Sequence, residues 1–305
     1  MLLCSIQSFS QTRPGNFDST FGTNGIVTDS FGHNTNFLNQ ILLTKDEKII
    51  GVGDTTYGSS ITTTLKRYLP NGSVDVTFGN HGLSVFTIDS ASTFCQAAAL
   101  QPDGKIVGTG IQFYGSYYSM PMHVFVFRDN ADGSLDTTFG THGYTSVAAP
   151  TGYYQAFGYR LAIQKDGKIV VGGVLTESYV ASDHYCIFRF NANGGLDTTF
   201  NGSGIQIAPP SPSATCVTTD LKILNNGKIA LTGYHRAGAT PPTLEIMRTN
   251  TDGTFDTTFG NNGQVSMSYG TTDIYGLGLA EQTESLSRLC LPTLLLAQVD
   301  WAIIY

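Results

Sequence analysis

The sequence predicts an all-β fold, a β-propeller of about five four-stranded blades. Three observations predict it. A six-residue motif recurs five times at a step near 60 residues, and a turn motif recurs at the same period. Between them the apolar residues fall in short runs of strand length, and no sustained 3.6-residue period appears. Four short strands per repeated unit is the pattern of a propeller blade.

The first motif reads Phe17-Asp18-Ser19-Thr20-Phe21-Gly22. It returns as Val74-Asp75-Val76-Thr77-Phe78-Gly79, Leu135-Asp136-Thr137-Thr138-Phe139-Gly140, Leu196-Asp197-Thr198-Thr199-Phe200-Asn201 and Phe255-Asp256-Thr257-Thr258-Phe259-Gly260. A glycine closes each copy, at Gly25, Gly82, Gly143, Gly204 and Gly263. The turn motif is Asp103-Gly104-Lys105-Ile106, matched by Asp166-Gly167-Lys168-Ile169 and Asn226-Gly227-Lys228-Ile229, with a decayed copy at Asp46-Glu47-Lys48-Ile49. Asp-Gly between apolar runs signals a hairpin in which both turn residues take positive φ. A third element is an arginine eight residues before the aspartate, at Arg67, Arg128, Arg189 and Arg248. A residue present in every unit at fixed offset is expected to hold the unit together, as a structural pair with its aspartate.

In the third unit the four strands are expected at 159–164, 168–174, 183–190 and 204–208, with a polar loop over 191–204. The chain opens in mid-unit, so segment 26–31 is expected to complete the last blade beside 300–305 and close the ring. The domain reading is a truncated signal peptide over 1–10 and a single propeller over 11–305. Met1 to Gln11 is short and mildly apolar and ends in small residues, like the back half of a secretory signal cleaved after Ser10. The expected location is therefore secreted or cell-surface, with periplasmic as the alternative. Cys4 follows Leu3 rather than a small residue and does not read as a lipidation site.

Composition narrows the function. Charged residues are 13% of the 305, against about 25% in an average domain. Apolar residues at 41% suffice for a core, so the chain is not disordered. The net charge of −7 lacks the basic footprint of a nucleic-acid binder. No apolar run is long enough for a membrane-spanning helix. The five cysteines, Cys4, Cys95, Cys186, Cys216 and Cys290, form no C-x-x-C pair and read as buried thiols, with a Cys95–Cys216 bridge left open to geometry.

After Gly278 the pattern breaks. A one-base shift of reading frame restores Asn/Asp-Gly-Lys across 282–285, and Asp300 to Tyr305 again resembles Asp183 to Phe188. Two readings follow: a compensating pair of frameshifts between about 281 and 299, or a diverged last blade.

The period near 60, with Leu-Asp-Thr-Thr-Phe-Gly and Asp-Gly-Lys-Ile recurring together over residues 17 to about 280, resembles the delta-60 repeat family of bacterial proteins. The resemblance implies a propeller-like array in exported bacterial proteins, with no assigned catalytic residues. Many members carry a C-terminal sorting domain, which has no counterpart within residues 17–305. The chain also departs at Glu47, where the turn glycine is absent, and at Asn201, which replaces the motif's glycine.

No nucleophile elbow and no His-Glu-x-x-His is present, and no catalytic, cofactor-binding or metal-binding residue is assigned. Candidates for a glycosidase pair are the unrepeated acids Glu177, Asp183, Asp220 and Glu245, provided they converge on the central channel. Asn130 to Asp136 and Asn250 to Asp256 resemble calcium loops but lack the closing glutamate, so Asx turns are the first expectation and calcium the second. His81 and His142 occupy one site of their units, where a small polar turn residue is expected. Tyr114, Tyr117, Tyr118, Tyr153, Tyr154 and Phe157 are unrepeated, and such aromatics either make a contact surface or pack the strands. Three functions follow from this reading: a scaffold binding glycan, protein or cell envelope; a polysaccharide-acting enzyme; or a purely structural surface array.

Overall fold

The computed structural model describes residues 17–29, 36–57, 60–88, 90–115, 121–177, 182–209, 215–238, 240–268, 275, 278–281 and 302–304. Its strands fall into four meander sheets. The first holds β1 (Asn36–Leu43), β2 (Ile49–Tyr57), β3 (Ser60–Tyr68) and β4 (Leu83–Phe86), and the second β5 (Ser92–Leu100), β6 (Ile106–Phe113), β7 (His123–Asp129) and β8 (Tyr144–Val147). The third holds β9 (Gln155–Ile163), β10 (Ile169–Thr176), β11 (Asp183–Phe190) and β12 (Ile205–Ile207), and the fourth β13 (Thr215–Ile223), β14 (Ile229–Arg236), β15 (Thr243–Thr249) and β16 (Gln264–Met267). A two-stranded parallel sheet pairs β17 (Leu279–Glu281) with β18 (Ala302–Ile304). No helix is long and apolar enough to cross a membrane among the described residues.

The first strands β1, β5, β9 and β13 lie side by side around one axis, and each sheet radiates from it as a blade. The core is therefore a stack of layers between blades. Phe86 stacks on Phe127 at 4.6 Å in the layer between the first and second blades. Val107, Phe139, Val171 and Phe188 fill the next layer, and Val170, Phe200, Leu221 and Leu231 the third. Strands β6, β10 and β11 are buried along their whole length. That explains their continuous apolar runs, since both faces of an inner blade strand meet a neighbouring blade.

The hairpin turns depart from expectation in one detail. Only the second residue of each turn has positive φ, as at Gly104 (88°) and Gly167 (83°). The Gly104 N–H donates to the Gln101 carbonyl at 2.9 Å, and the Gln101 N–H to the Lys105 carbonyl at 2.8 Å. This is a three-residue loop, a type I turn followed by a left-handed residue. Glu47 takes that conformation without glycine, at φ 63°.

Each inner strand carries a bulge, with Asn39, Gln96, Tyr159 and Thr219 as the extra residues. Opposite each bulge the second strand holds a glycine, Gly53, Gly110, Gly173 or Gly233. A Cβ at Gly110 would lie 1.7 Å from the Phe94 carbonyl oxygen, so the two backbones approach too closely for any side chain.

Closure through segment 26–31 is not seen among the described residues. Ile26 makes only an isolated bridge to Thr23, and 27–29 form no strand. The N-terminal loop is held instead by the first blade, through the Gly22 N–H on the Asn71 carbonyl at 2.8 Å. Strand β18 pairs with β17, in parallel, not with the N-terminus. The physical reason is that residues 17–27 repeat the loop geometry of every unit, and that loop docks forward onto the next unit. The count of five closed blades is thus four complete blades and a fragment among the described residues. On the open side of the first blade Ile41 and Leu43 are 60% and 65% exposed, whereas the matching Ala98, Leu161 and Leu221 pack into the inter-blade layers. The frameshift reading of 281–299 lies outside the described residues beyond Glu281.

Candidate functional site: a repeated clasp, an axial channel and an unrepeated face

The turn loops and the aspartate loops share one face of the molecule, because β3 ends opposite the start of β2 (Ile49 beside Tyr68). There the repeated polar residues form one clasp per unit. In the second unit Asp136 Oδ2 accepts from Arg128 Nε and Lys105 Nζ, each at 2.7 Å. Its Oδ1 accepts from the Thr138 N–H at 3.1 Å and the Thr138 hydroxyl at 2.6 Å. The Arg128 guanidinium lies 4.6 Å over the Phe139 ring. The same set joins Arg67, Lys48, Thr77 and Asp75, then Arg189, Lys168, Thr199 and Asp197, then Arg248, Lys228, Thr258 and Asp256. Burial opposes ionisation of each aspartate. The hydrogen bonds of lysine and threonine and the arginine outweigh it, holding all four carboxyls well below the usual range.

The clasp also couples units. The Gly79 N–H reaches the Asp132 carbonyl and the Gly140 N–H the Asn193 carbonyl, both at 2.7 Å. Gly133, at φ 83°, lies against the Phe78 ring of the preceding unit, where a Cβ would come within 2.8 Å. The constant arginine offset is a structural pair, as expected, with a neighbour-binding arm added.

At the axis the bulges open a polar channel of about 270 Å³, lined by Asn39, Gln40, Gln96, Ala97, Arg160, Leu161, Asp220 and Leu221. Arg160 Nε donates to the Thr219 carbonyl and Nη1 to the Tyr159 carbonyl at 2.8 Å. Asp220 accepts the N–H of Leu221 at 2.8 Å and of Leu279 at 2.7 Å. Gln40 Oε1 accepts the Ala98 N–H at 2.7 Å. Asn39 donates to Asp54 at 2.8 Å and to the Cys95 carbonyl at 2.7 Å. Asp54 is buried, and burial pushes its carboxyl up to about 7 despite the Cys95 N–H and Asn39.

The four acids singled out in the sequence do not converge. Asp220 lines the channel, and it is the sole carboxylate on the channel wall among the described residues. Asp183 ties the third blade to the fourth, accepting from Thr176 Oγ1 at 2.7 Å and the Cys216 N–H at 2.9 Å, and burial raises its carboxyl. Glu245 accepts from Ser266 Oγ and faces His235 Nδ1 at 3.3 Å in the fourth blade. Glu177 lies 3.0 Å from His184 Nε2, while His184 Nδ1 meets the Ala208 carbonyl at 2.8 Å. A glycosidase uses two facing carboxyl groups, and among the described residues the channel wall holds one.

The aromatics divide. Tyr153 meets His184 edge-on at 5.1 Å and Phe157 stacks on Tyr159 at 5.8 Å, so both pack the strands. Tyr114 and Tyr154 are exposed on the face opposite the clasps, and Tyr117 and Tyr118 lie outside the described residues. The calcium-like loops are Asx turns: Asp132 Oδ1 accepts from the Ser134 N–H and hydroxyl, and Asp252 Oδ1 from those of Thr254. Among the described residues no three His, Cys, Asp or Glu side chains converge as metal ligands. His81 and His142 sit at φ 53° and 55°, as turn residues. Cys95, Cys186 and Cys216 are free buried thiols, so Cys95 and Cys216 are not bridged; Cys4 and Cys290 lie outside the described residues.

Arg160, Gln96, Gln40 and Asn39 were not singled out from the sequence. The available signal was an unrepeated polar residue inside a strand, at fixed distance before the repeated glycine of the second strand.

A search of curated protein sequences finds no match. Among solved structures the chain is similar to an α-L-arabinofuranosidase from Fusarium graminearum, at 10% identity over 81% of this chain and 71% of that one, with a TM-score of 0.46. It is also similar to the polysaccharide lyase Uly1, at 10% identity over 81% of this chain and 57% of that one, TM-score 0.40. A mannose phosphorylase from Leishmania mexicana matches at 11% identity over 70% and 63%, TM-score 0.36. Residues 44–78, 164–200 and 224–259 match a family described as a domain of unknown function (DUF5122) beta-propeller. Each matched stretch runs from a hairpin turn to the clasp phenylalanine, and the chain is a β-propeller repeat protein.

Proposed function

We propose that the chain is an exported binding scaffold, with glycan as its first ligand class. One observation carries the reading. The repeated charged residues are engaged in the clasps on one face, while the channel and the opposite face carry polar and aromatic residues that do not repeat. Repetition serves the scaffold, and departure from repetition is where recognition is built. Affinity electrophoresis of the full chain through gels containing polysaccharides tests this. Retardation with unchanged polymer length is expected. Shortened polymer would establish the enzyme reading, and no retardation in any gel the structural-array reading.

The scaffold is proposed to be a five-bladed ring. The groove beside β1, about 620 Å³ and lined by Phe21, Val27, Leu38, Ile41, Leu43 and Tyr68, is the seat of a fifth blade. Strand β17, tied to the fourth blade through the Leu279 N–H on Asp220, is proposed as its inner edge. The exposed Ile41 and Leu43 support this, since the same positions are packed in the other blades. The delta-60 kinship and the secreted or cell-surface location belong to the same proposal, and fractionation of the producing cells tests the location.

A further inference from the structure

The residue that follows each axial bulge is Gln40, Ala97, Arg160 and Asp220 in successive blades. Three of these tie their blade to the next. Gln40 accepts the Ala98 N–H, Arg160 Nε donates to the Thr219 carbonyl, and Asp220 accepts the Leu279 N–H. The second blade breaks the series. Ala97 is too short to reach, and the half-buried Gln96 beside it has no side-chain hydrogen bond among the described residues.

Arg160 is the second irregularity. The four clasp arginines each hold an aspartate, but no carboxylate lies within ion-pair distance of Arg160 among the described residues. Its Nε and Nη1 meet neutral carbonyls, and Nη2 has no partner there. Burial works against its charge, while Asp220 nearby favours it. Asp220 acts on Arg160 only through space, since its oxygens are held by the N–H groups of Leu221 and Leu279 and make no direct ion pair with the guanidinium.

A partly desolvated guanidinium with open N–H groups, next to an uncommitted amide, fits a planar anion. The Asp220 carboxylate on the same wall disfavours a doubly charged phosphate more than a singly charged carboxylate. Its remaining lone pairs accept hydroxyl donors. A space of about 270 Å³ suits one small molecule, not a polymer. We propose that the axial channel binds a small hydroxylated carboxylate of the sugar-acid class, its carboxylate on Arg160 and Gln96 and a hydroxyl on Asp220. This rests on the binding reading above and names a ligand class for the channel.

Calorimetric titration of the full chain with glucuronate, glucose and inorganic phosphate tests it. Glucuronate is expected to bind one to one, with glucose at least about tenfold weaker and phosphate weaker still. Arg160→Lys and Gln96→Ala are each expected to weaken glucuronate by about tenfold, the scale of one lost charge-assisted hydrogen bond. If Arg160→Lys does not fold, Gln96→Ala decides, since that side chain makes no hydrogen bond among the described residues. Equal binding of glucose, tighter binding of phosphate, no binding of glucuronate, or full affinity in Gln96→Ala would each overturn the proposal. Retardation by polysaccharide without glucuronate binding removes the channel site and leaves the scaffold reading standing.

Discussion

Arg128 grips two units at once: its Nε donates to Asp136 in its own unit at 2.7 Å, and its Nη1 to the Ala192 carbonyl of the next at 2.8 Å. Arg67 does the same with Asp75 and Ala131. The side chain is therefore a joint between blades as well as a brace within one. Replacing it with methionine keeps the packing on Phe139 but removes both bonds. Lys105 still neutralises Asp136, so the carboxylate is not left bare. The expected loss is about 2–3 kcal/mol, read from equilibrium urea unfolding; a loss below about 0.5 kcal/mol would show that the joint carries no load.

The clasp aspartates make the protein acid-labile. Their carboxyls ionise at lower pH folded than unfolded, so the unfolded state binds more protons as pH falls through the acid range. Their stabilisation is complete above about pH 4, the unfolded carboxyl value, and is lost below it. The urea midpoint is expected to fall steeply below pH 4, and less steeply in Asp136→Asn. An unchanged slope in that variant would remove Asp136 from the account.

Asp54 and Asp129 act in the opposite sense. Burial raises both carboxyls to about 7, so the folded state holds protons that the unfolded state releases. Stability is then fully present below about pH 4 and falls as pH rises to 7. With the clasps, this puts the optimum on the acid side, near about pH 4–5. Asp54→Asn is expected to flatten the decline between pH 5 and 8 in a thermal-melt series. A melting temperature that rises over that interval in the parent protein would contradict both assignments.

Gly110→Ala tests the bulge contact without a change of backbone region, since Gly110 is not among the positive-φ residues. The added methyl would meet the Phe94 carbonyl at 1.7 Å. The expected loss exceeds about 2 kcal/mol. At Gly152 (φ 98°) nothing lies within 4 Å, so alanine there costs only about 1 kcal/mol of backbone strain. Comparable melting temperatures for the two variants would remove the close approach as the reason for the repeated glycine.

The blade architecture was legible because each unit repeats the same physical problem. Aspartate, arginine and phenylalanine recur because every unit must clasp the next, and strand 183–190 appears at its expected bounds. The channel was not legible in that way. Arg160 and Gln96 lie in strands whose neighbours along the chain are apolar, and only the bulge register turns them to the axis. The acids Glu177, Asp183 and Glu245 failed as a convergent set for the converse reason. Each has a local partner, His184, Thr176 or Ser266, and such pairings across adjacent strands leave no trace in linear spacing.

The groove beside β1 provides the sharpest test of ring closure. Ile41 is 60% exposed, and an aspartate at such a surface position ordinarily changes stability by less than about 0.5 kcal/mol. If a fifth blade seats there, Ile41 is buried in an inter-blade layer like Leu221, and Ile41→Asp places a charge in that layer. The expected loss is then above about 3 kcal/mol, with hydrogen-exchange protection lost along β1 and β17. Val76→Asp is the control, because Val76 is 65% exposed on a clasp loop with no blade to receive. Equal, small effects from both variants would leave the groove open and reduce the ring to four blades with a free edge.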